Sequence, residues 1–502
     1  MRRLQPRAWL ACVVSIPTFL GIATGDPCVL HEIAEVVPDA PAPLTKYGWS
    51  LDCDGARLVV GDVGDPSRDY IGAAYVFRLD DKGTSWDLTD DQWMQEGKLI
   101  ASDGSFNHSF GKAVSISGDW IVVASRHNQF GSSSGSAYMF RREDAATPAD
   151  PSDDAWVEHQ KLIASDAVPD ARFGDSLSLD GDWLVIGAPQ CARGAPCPPG
   201  SAYVFVRSEH GTPSDLSDDQ WLEHATLEEL NGSEANSFGS SVNLFRNRIA
   251  VGCPGNDDRA TNAGAVFVFL RDDRGTPFDS ADDQWLLEAT LTASDAAPWD
   301  VLGVGLAMSA DTIVAGATFD EHKGVVSGSA YVYRLDDAGT PQAASDDTWG
   351  EAAKLLPSDG QEFDEFGWPI ALNGDQILVA AHHHHAYAAN KGAAYLFRRN
   401  GNSWVEAVQL KSRNSPSGVL GYAVGLSGEL AIVGAPFRGK SPTGAVYVFP
   451  TGRDCVSLLE FAAFQNCLGT VAAGVCEAFD FEPNAVIDLV DYRQLILTLT
   501  GP

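Results

Sequence analysis

The sequence predicts an all-β protein in which one small sheet is copied around a ring. Three observations carry that prediction. First, an aromatic residue or leucine followed by glycine recurs at Tyr47-Gly48, Phe110-Gly111, Phe173-Gly174, Phe238-Gly239, Leu302-Gly303, Phe366-Gly367 and Leu420-Gly421. Second, these anchors lie about 64 residues apart, with a last interval of about 54, and a long fixed period marks one supersecondary unit repeated many times. Third, the last copy stops after Val446-Tyr447-Val448-Phe449, one strand short, while the segment from His31 to Val37 is similar to the fourth strand of another copy, Glu158 to Ile163.

The third copy shows the elements of each unit. Ser176-Leu177-Ser178-Leu179 alternates small polar and apolar residues, Trp183 to Ile186 is a continuous apolar run, Ala202 to Val206 is β-branched and aromatic, and a fourth run from Trp221 to Leu227 opens on tryptophan. Such runs read as strands. Asp180-Gly181-Asp182, Gly187-Ala188-Pro189 and Gly211-Thr212-Pro213 between them are turn chemistry. A four-stranded antiparallel sheet has two faces to bury, and radial stacking against its neighbours buries both. The expected architecture is therefore a seven-bladed β-propeller of four-stranded blades over residues 29–450. The N-terminal strand is expected to complete the last blade, which removes two raw sheet edges. The rival is an open solenoid, for which the sequence offers no capping segment.

The FG start, the VVGAP-like end of the second strand and the GSAYVF third strand resemble FG-GAP repeats, the blades of integrin-α-type propellers, in their short bacterial form. The resemblance implies a propeller and is silent on ligand. Calcium-binding members carry an Asp-rich loop between the first two strands. Here that place holds only Ser117-Gly118-Asp119, Asp180-Gly181-Asp182 or Asn373-Gly374-Asp375, too few oxygens for a six- to eight-coordinate ion, so no calcium is expected on the blades.

The chain has 502 residues and a formal net charge of −34, which argues against nucleic acid or an anionic membrane as partner. Residues 1–25 read as a secretory signal peptide: a basic start, the apolar run Ala8 to Ala23, then small residues. A secreted or cell-surface location follows, with no membrane span after cleavage. A retained anchor is the alternative. Beyond Cys12 the cysteines are Cys28, Cys53, Cys191, Cys197, Cys253, Cys455, Cys467 and Cys476, an even set that suggests disulfides in an oxidising compartment. Cys191 and Cys197 share one loop and are expected to pair; Cys28 and Cys53 could pair near the ring closure. Asn107 and Asn231 fit glycosylation acceptors.

Two features stand out on the loops. The acidic stretches Asp87 to Asp91, Asp215 to Asp219 and Asp279 to Asp283 could hold weak calcium or could be turns that orient the following tryptophan. The loops after each second strand vary most: Asp62 to Ile71, Ser125 to Ser134, Gln190 to Pro199, Gly255 to Ala263, Phe319 to Ser327, His382 to Lys391 and Phe437 to Thr443. Variable insertions on one face of a repeat fold mark the binding face. Among them His382-His383-His384-His385 replaces the usual Gly-Ala-Pro; adjacent histidines reach one metal only from a loop, and no metal site is expected there.

From residue 454 to 502 the pattern turns helical, with three-four spacing in Leu458 to Phe464 and in Val490 to Ile496. Asp480, Glu482, Asn484, Val486, Asp488 and Asp491 fall on the spacing of an EF-hand calcium loop, with Ala485 where glycine is usual. This tail resembles a dockerin module. The resemblance implies that those residues ligate one calcium ion, and that a cohesin-like partner receives the tail. The alternative is a two-helix cap packed by Phe461, Phe464, Leu495 and Leu497.

No G-x-S-x-G elbow, phosphate-cradling loop or H-E-x-x-H stands in the chain, and the inner-strand residues Ser176, Ser178, Ser241 and Asn243 are small and uncharged. The expectation is a monomeric, non-enzymatic propeller that presents its loops to a protein or carbohydrate ligand. The alternatives are a glycan-active enzyme, which needs two facing carboxylates in a deep pocket, and a structural envelope component.

Overall fold

The computed structural model describes residues 29–452, with breaks at 42–44, 65–70, 84–87, 89–90, 106–107, 127–132, 144–153, 190–199, 209–217, 230–231, 233–235, 277–279, 337–346, 385–391, 414–418 and 438–443. The signal segment and the dockerin-like tail, with Asp480, Glu482, Asn484, Val486, Asp488 and Asp491, lie outside the described residues. So do Asn107, Asn231 and every cysteine except Cys53 and Cys253.

Alternating and β-branched runs become strands as expected. Two short N-terminal strands come first, β1 (Val29–Leu30) and β2 (Ala34–Val36). Blade 1 is β3 (Tyr47–Asp54), β4 (Arg57–Asp62), β5 (Ala73–Asp80) and β6 (Gln92–Leu99). Blade 2 is β7 (Val114–Ser117), β8 (Trp120–Ser125), β9 (Ser136–Glu143) and β10 (Ala155–Leu162). Blade 3 is β11 (Ser176–Asp180), β12 (Trp183–Ala188), β13 (Ser201–Ser208) and β14 (Gln220–Glu228). Blade 4 is β15 (Ser241–Phe245), β16 (Arg248–Cys253), β17 (Ala265–Asp272) and β18 (Gln284–Leu291). Blade 5 is β19 (Gly305–Met308), β20 (Thr312–Ala317), β21 (Ser329–Asp336) and β22 (Thr348–Leu355). Blade 6 is β23 (Ile370–Asn373), β24 (Gln376–Ala381), β25 (Ala393–Asn400) and β26 (Ser403–Leu410); blade 7 is β27 (Ala423–Ser427), β28 (Leu430–Ala435) and β29 (Ala445–Pro450).

Blade 7 is short of a strand, and β2 supplies it: Glu35 pairs with Tyr447, and Ile33 N–H donates to Val448 O at 2.8 Å. The open solenoid is thereby excluded. The sequence did not announce a second clasp. β1 adds in parallel to β26, so blade 6 has five strands, and Glu32 accepts from Arg413 N–H at 3.1 Å. One N-terminal segment thus staples blade 6 to blade 7.

The core is divided among the interfaces between blades. Seven buried clusters each draw on two adjacent blades, including one between blades 7 and 1, as a closed ring requires. The anchor side chain is the centre of each. Phe173 is fully buried and meets Tyr203 and Phe205 edge-on at 5.4 and 6.1 Å. Removing such a ring costs about 3–5 kcal/mol in lost burial and cavity. The glycine that follows takes a positive φ, and a Cβ on Gly111 would lie 2.4 Å from Ala73 O, so no other residue fits there.

The fourth-strand tryptophans lock the outer rim. Trp221 packs edge-on against Trp120 of the preceding blade at 5.6 Å, and Trp285 against Trp183 at 5.4 Å. In each of blades 1–6 the fourth strand carries a β-bulge. A bulge re-aims one side chain. In blade 1 it turns Glu96 to Arg57 at 3.0 Å, and in blade 4 it turns Glu288 to Arg248 and to the Trp349 indole N–H. Where described, the acidic stretches supply carboxylates to ion pairs. Asp219, buried, holds Arg207 at 2.7 Å, and Asp154 holds Arg142 at 2.7 Å. The Gly-Asp pairs between first and second strands are two-residue hairpins, with φ of 57° at Gly118 and 58° at Gly181.

Candidate binding site at the channel mouth

Strand register decides what gathers at each end of the ring. Tyr47 pairs with Asp62 and Asp62 with Ala73, so the anchor, the end of the second strand and the start of the third share one end. The seven variable loops therefore root on the same face as the seven anchors, as the sequence led one to expect. Gly255 to Ala263 and Phe319 to Ser327 are described throughout, whereas most of each of the other five loops lies outside the described residues.

The residue after each anchor glycine faces the central channel. In ring order these are Trp49, Lys112, Asp175, Ser240, Val304, Trp368 and Tyr422. Sequence reading passed over this position, although it was visible as the letter after each FG. It is the most varied of the inner-strand positions and carries large rings on three blades. The channel itself encloses about 410 Å³.

The mouth is lopsided. Trp368, Tyr422 and Trp49 belong to blades 6, 7 and 1, which are contiguous across the ring closure. Trp49 stacks tilted on Tyr422 at 4.6 Å, Tyr422 meets Trp368 edge-on at 5.5 Å, and Phe437 joins at 5.6 Å from Tyr422. The four rings are half-buried, so their outer faces stay in solvent. Lys46 lies over Trp49 at 5.1 Å and Lys112 at 5.7 Å, within cation–π range. Lys112 borders the aromatic arc and pairs with Asp175 of the next blade at 3.8 Å; Ser240 and Val304 complete the ring.

Below the mouth the small inner-strand residues have a structural task. Ser50, Ser176 and Ser241 donate to the Gly111, Gly239 and Gly303 carbonyls of the next blade at 2.9, 2.9 and 2.7 Å. Ser115 and Ser178 accept from Leu179 and Leu244 N–H. Each is a strut between neighbouring inner strands. Asp52 was overlooked in the sequence, though it occupies the register position of Ser115 and Ser178. It accepts from Ser115 Oγ at 2.7 Å, Ile116 N–H at 2.9 Å and Cys53 N–H at 2.8 Å. Burial lifts its carboxyl to about 6, against the pull of those three donors.

The pairing of Cys28 with Cys53 is corrected: Cys53 is a free thiol on the channel wall, its sulfur beside Gly425. Among the described residues there is no disulfide, and Cys253 is buried and free beside Glu229 and Asn236. Nor is any described helix long and apolar enough to cross a membrane.

The histidine tract sits at the root of the blade 6 loop, next to the aromatic arc. His382 is buried and meets Trp368 edge-on at 5.2 Å. Its imidazole is pushed down to about 4 by burial and by His383, so it is neutral near pH 7. Glu365 Oε1 lies 2.9 Å from His383 Nδ1, and Oε2 lies 3.5 Å from His382 Nε2. His384 points away into the blade, 3.1 Å from the buried Asp364.

No curated protein matches the chain. The FG-GAP repeat family matches it five times, at residues 93–140, 156–205, 221–269, 285–333 and 349–397. Each match runs from the fourth strand of one blade, through the anchor, to the third strand of the next, so the family's unit is the interface between blades. The chain thus carries five FG-GAP repeats, and they lie within a closed seven-bladed β-propeller.

Proposed function

We propose that the protein is a secreted or cell-surface binding propeller that holds a carbohydrate on the aromatic arc of its channel mouth. The observation that supports this is the placement of Trp49, Trp368 and Tyr422 at one repeat position on three consecutive blades. A half-exposed aromatic surface framed by polar groups is a ligand platform. The C–H face of a sugar ring lies flat on such rings, while Lys112 and Asp175 at the edge of the arc meet its hydroxyls. The variable loop roots on the same face widen the contact. By its resemblance to a dockerin, the tail from residue 454 tethers the ring to a cohesin-like partner through a calcium-loaded loop. Binding by this rigid ring requires no bond chemistry.

A glycan-array screen followed by calorimetry tests the reading. The expected result is a hit whose affinity falls about tenfold or more in Trp368→Ala and Trp49→Ala, consistent with loss of a stacked aromatic. Equal affinities in both variants would remove the arc from the site. A second reading, a glycan-active enzyme, draws on the raised Asp52 carboxyl. Asp52 is already spanned by three hydrogen-bond donors, which favours the strut role, and turnover of labelled glycans lost in Asp52→Asn would reverse that preference. For the tail, calcium calorimetry on the full chain should lose one binding event in Asp480→Ala.

A further inference from the structure

We propose that Glu365, His382 and His383 form a binding site for one divalent transition-metal ion at the channel mouth. The sequence argued the opposite, since neighbouring histidines on a strand face apart. β24 ends at Ala381, however, so His382 and His383 stand on the turn beyond it. There both rings come to one side, their centroids 4.1 Å apart. Glu365, on the turn before the Phe366 anchor, closes the group, and one ligand atom from each residue lies within 4.8 Å of the others.

The donor chemistry selects the ion. Two imidazoles and one carboxylate suit zinc, copper or nickel, and imidazole is a poor ligand for calcium or magnesium. Binding would draw the three donors to about 2 Å from the ion and leave at least one coordination position open. That position would face the mouth beside Trp368 and Tyr422, where His383 is the exposed member of the group with a side-chain exposure of 40 %. His382 is held by packing against both rings, so one ligand is oriented before the metal arrives.

The other blades provide an internal control. Where blade 6 has Glu365, blades 2 to 5 have Ser109, Arg172, Ser237 and Val301. Where it has His382, blades 4, 5 and 7 have Pro254, Thr318 and Pro436. The fold does not require a donor at either position, yet blade 6 carries three in contact.

The test is zinc calorimetry on the full chain, stripped with chelator, beside copper titration read by tryptophan fluorescence. The wild type should take up about one zinc, and copper should quench emission through Trp368. Glu365→Gln and His383→Ala should each weaken zinc roughly tenfold or more, with unchanged melting in the metal-free state. His385→Ala should leave binding intact. Should either variant melt early, His383→Gln replaces it. Zinc uptake undiminished in both variants, dependence on His385, or no uptake by the wild type would each overturn the proposal.

Discussion

Blades 5 and 6 are the same sheet offset by 64 residues, and under their loops they solve one problem with opposite chemistry. In blade 5 the buried Asp320 accepts from Lys354 Nζ at 2.7 Å, Ser329 Oγ at 2.8 Å and Tyr331 OH at 2.9 Å, and Lys354 also reaches Asp295. Blade 6 has His384 in place of Asp320, Gln409 in place of Lys354 and Ala393 in place of Ser329; Tyr395 and Asp359 stay as the counterparts of Tyr331 and Asp295. There Gln409 Nε2 donates to Asp359 at 3.0 Å and to Tyr395 OH at 2.9 Å, while His384 takes the buried Asp364. In both pockets the tyrosine hydroxyl donates to the aspartate, Tyr331 to Asp295 and Tyr395 to Asp359, and the comparison teaches that the third partner can be a charged lysine or a neutral glutamine.

The comparison breaks most sharply at Lys354. Lys354→Met strands Asp320 and should cost about 3 kcal/mol in denaturant unfolding, whereas Gln409→Leu should cost about 1 kcal/mol. Burial pushes the Asp320 carboxyl up, but Lys354 and the two hydroxyls outweigh it and hold it below the usual range. Its stabilisation is thus present above the ordinary Asp value near 4 and lost as pH falls through the lower folded value. The Lys354→Met penalty should therefore shrink at pH 3, and the Gln409→Leu penalty much less.

Asp52 sharpens the contrast with the opposite sign, at a position where blades 5 and 6 have Ala307 and Ala371. Its carboxyl is raised to about 6, so the native state binds its proton more tightly than the unfolded chain. That contribution is whole below pH 4 and is lost as pH rises through 6. The stability difference between wild type and Asp52→Asn should shift by ~2 kcal/mol between pH 4 and pH 7, in favour of the variant.

A transplant follows in size. Asp320→His with Lys354→Gln should recover part of the single-variant losses, with a coupling of about 1 kcal/mol in a double-mutant cycle. Strict additivity would show that the two pockets are not interchangeable. The smallest effect belongs to His383→Ala without metal, expected within about 0.5 kcal/mol because the side chain is partly exposed, with 40 % of its surface in solvent.

Much of the ring was legible before any coordinates. Anchors, hairpin pairs and the β2 closure could be read because each is a local pattern or a match between chain ends. Cys53 was misjudged as a disulfide partner because nearness in sequence to the closure says nothing about which face of β3 it occupies. Asp52 was overlooked because a carboxylate in so acidic a chain carries no signal until its three donors are seen. The bulged Glu96 and Glu288 were hidden for a different reason: a bulge shifts which face a residue takes, and periodicity assumes that it does not.

By itself the sequence determined the number of blades, the four repeat strands of a blade and the closure of the ring by β2, because hydrophobic period and turn chemistry act over a few residues and recur from blade to blade. Only the tertiary structure decided that Trp49, Trp368 and Tyr422 share one arc, that β1 clasps blade 6, and that Glu365 meets His382 and His383. Those meetings depend on ring closure and on the path of the turn after β24, which set distances between side chains that hydrophobic period does not encode.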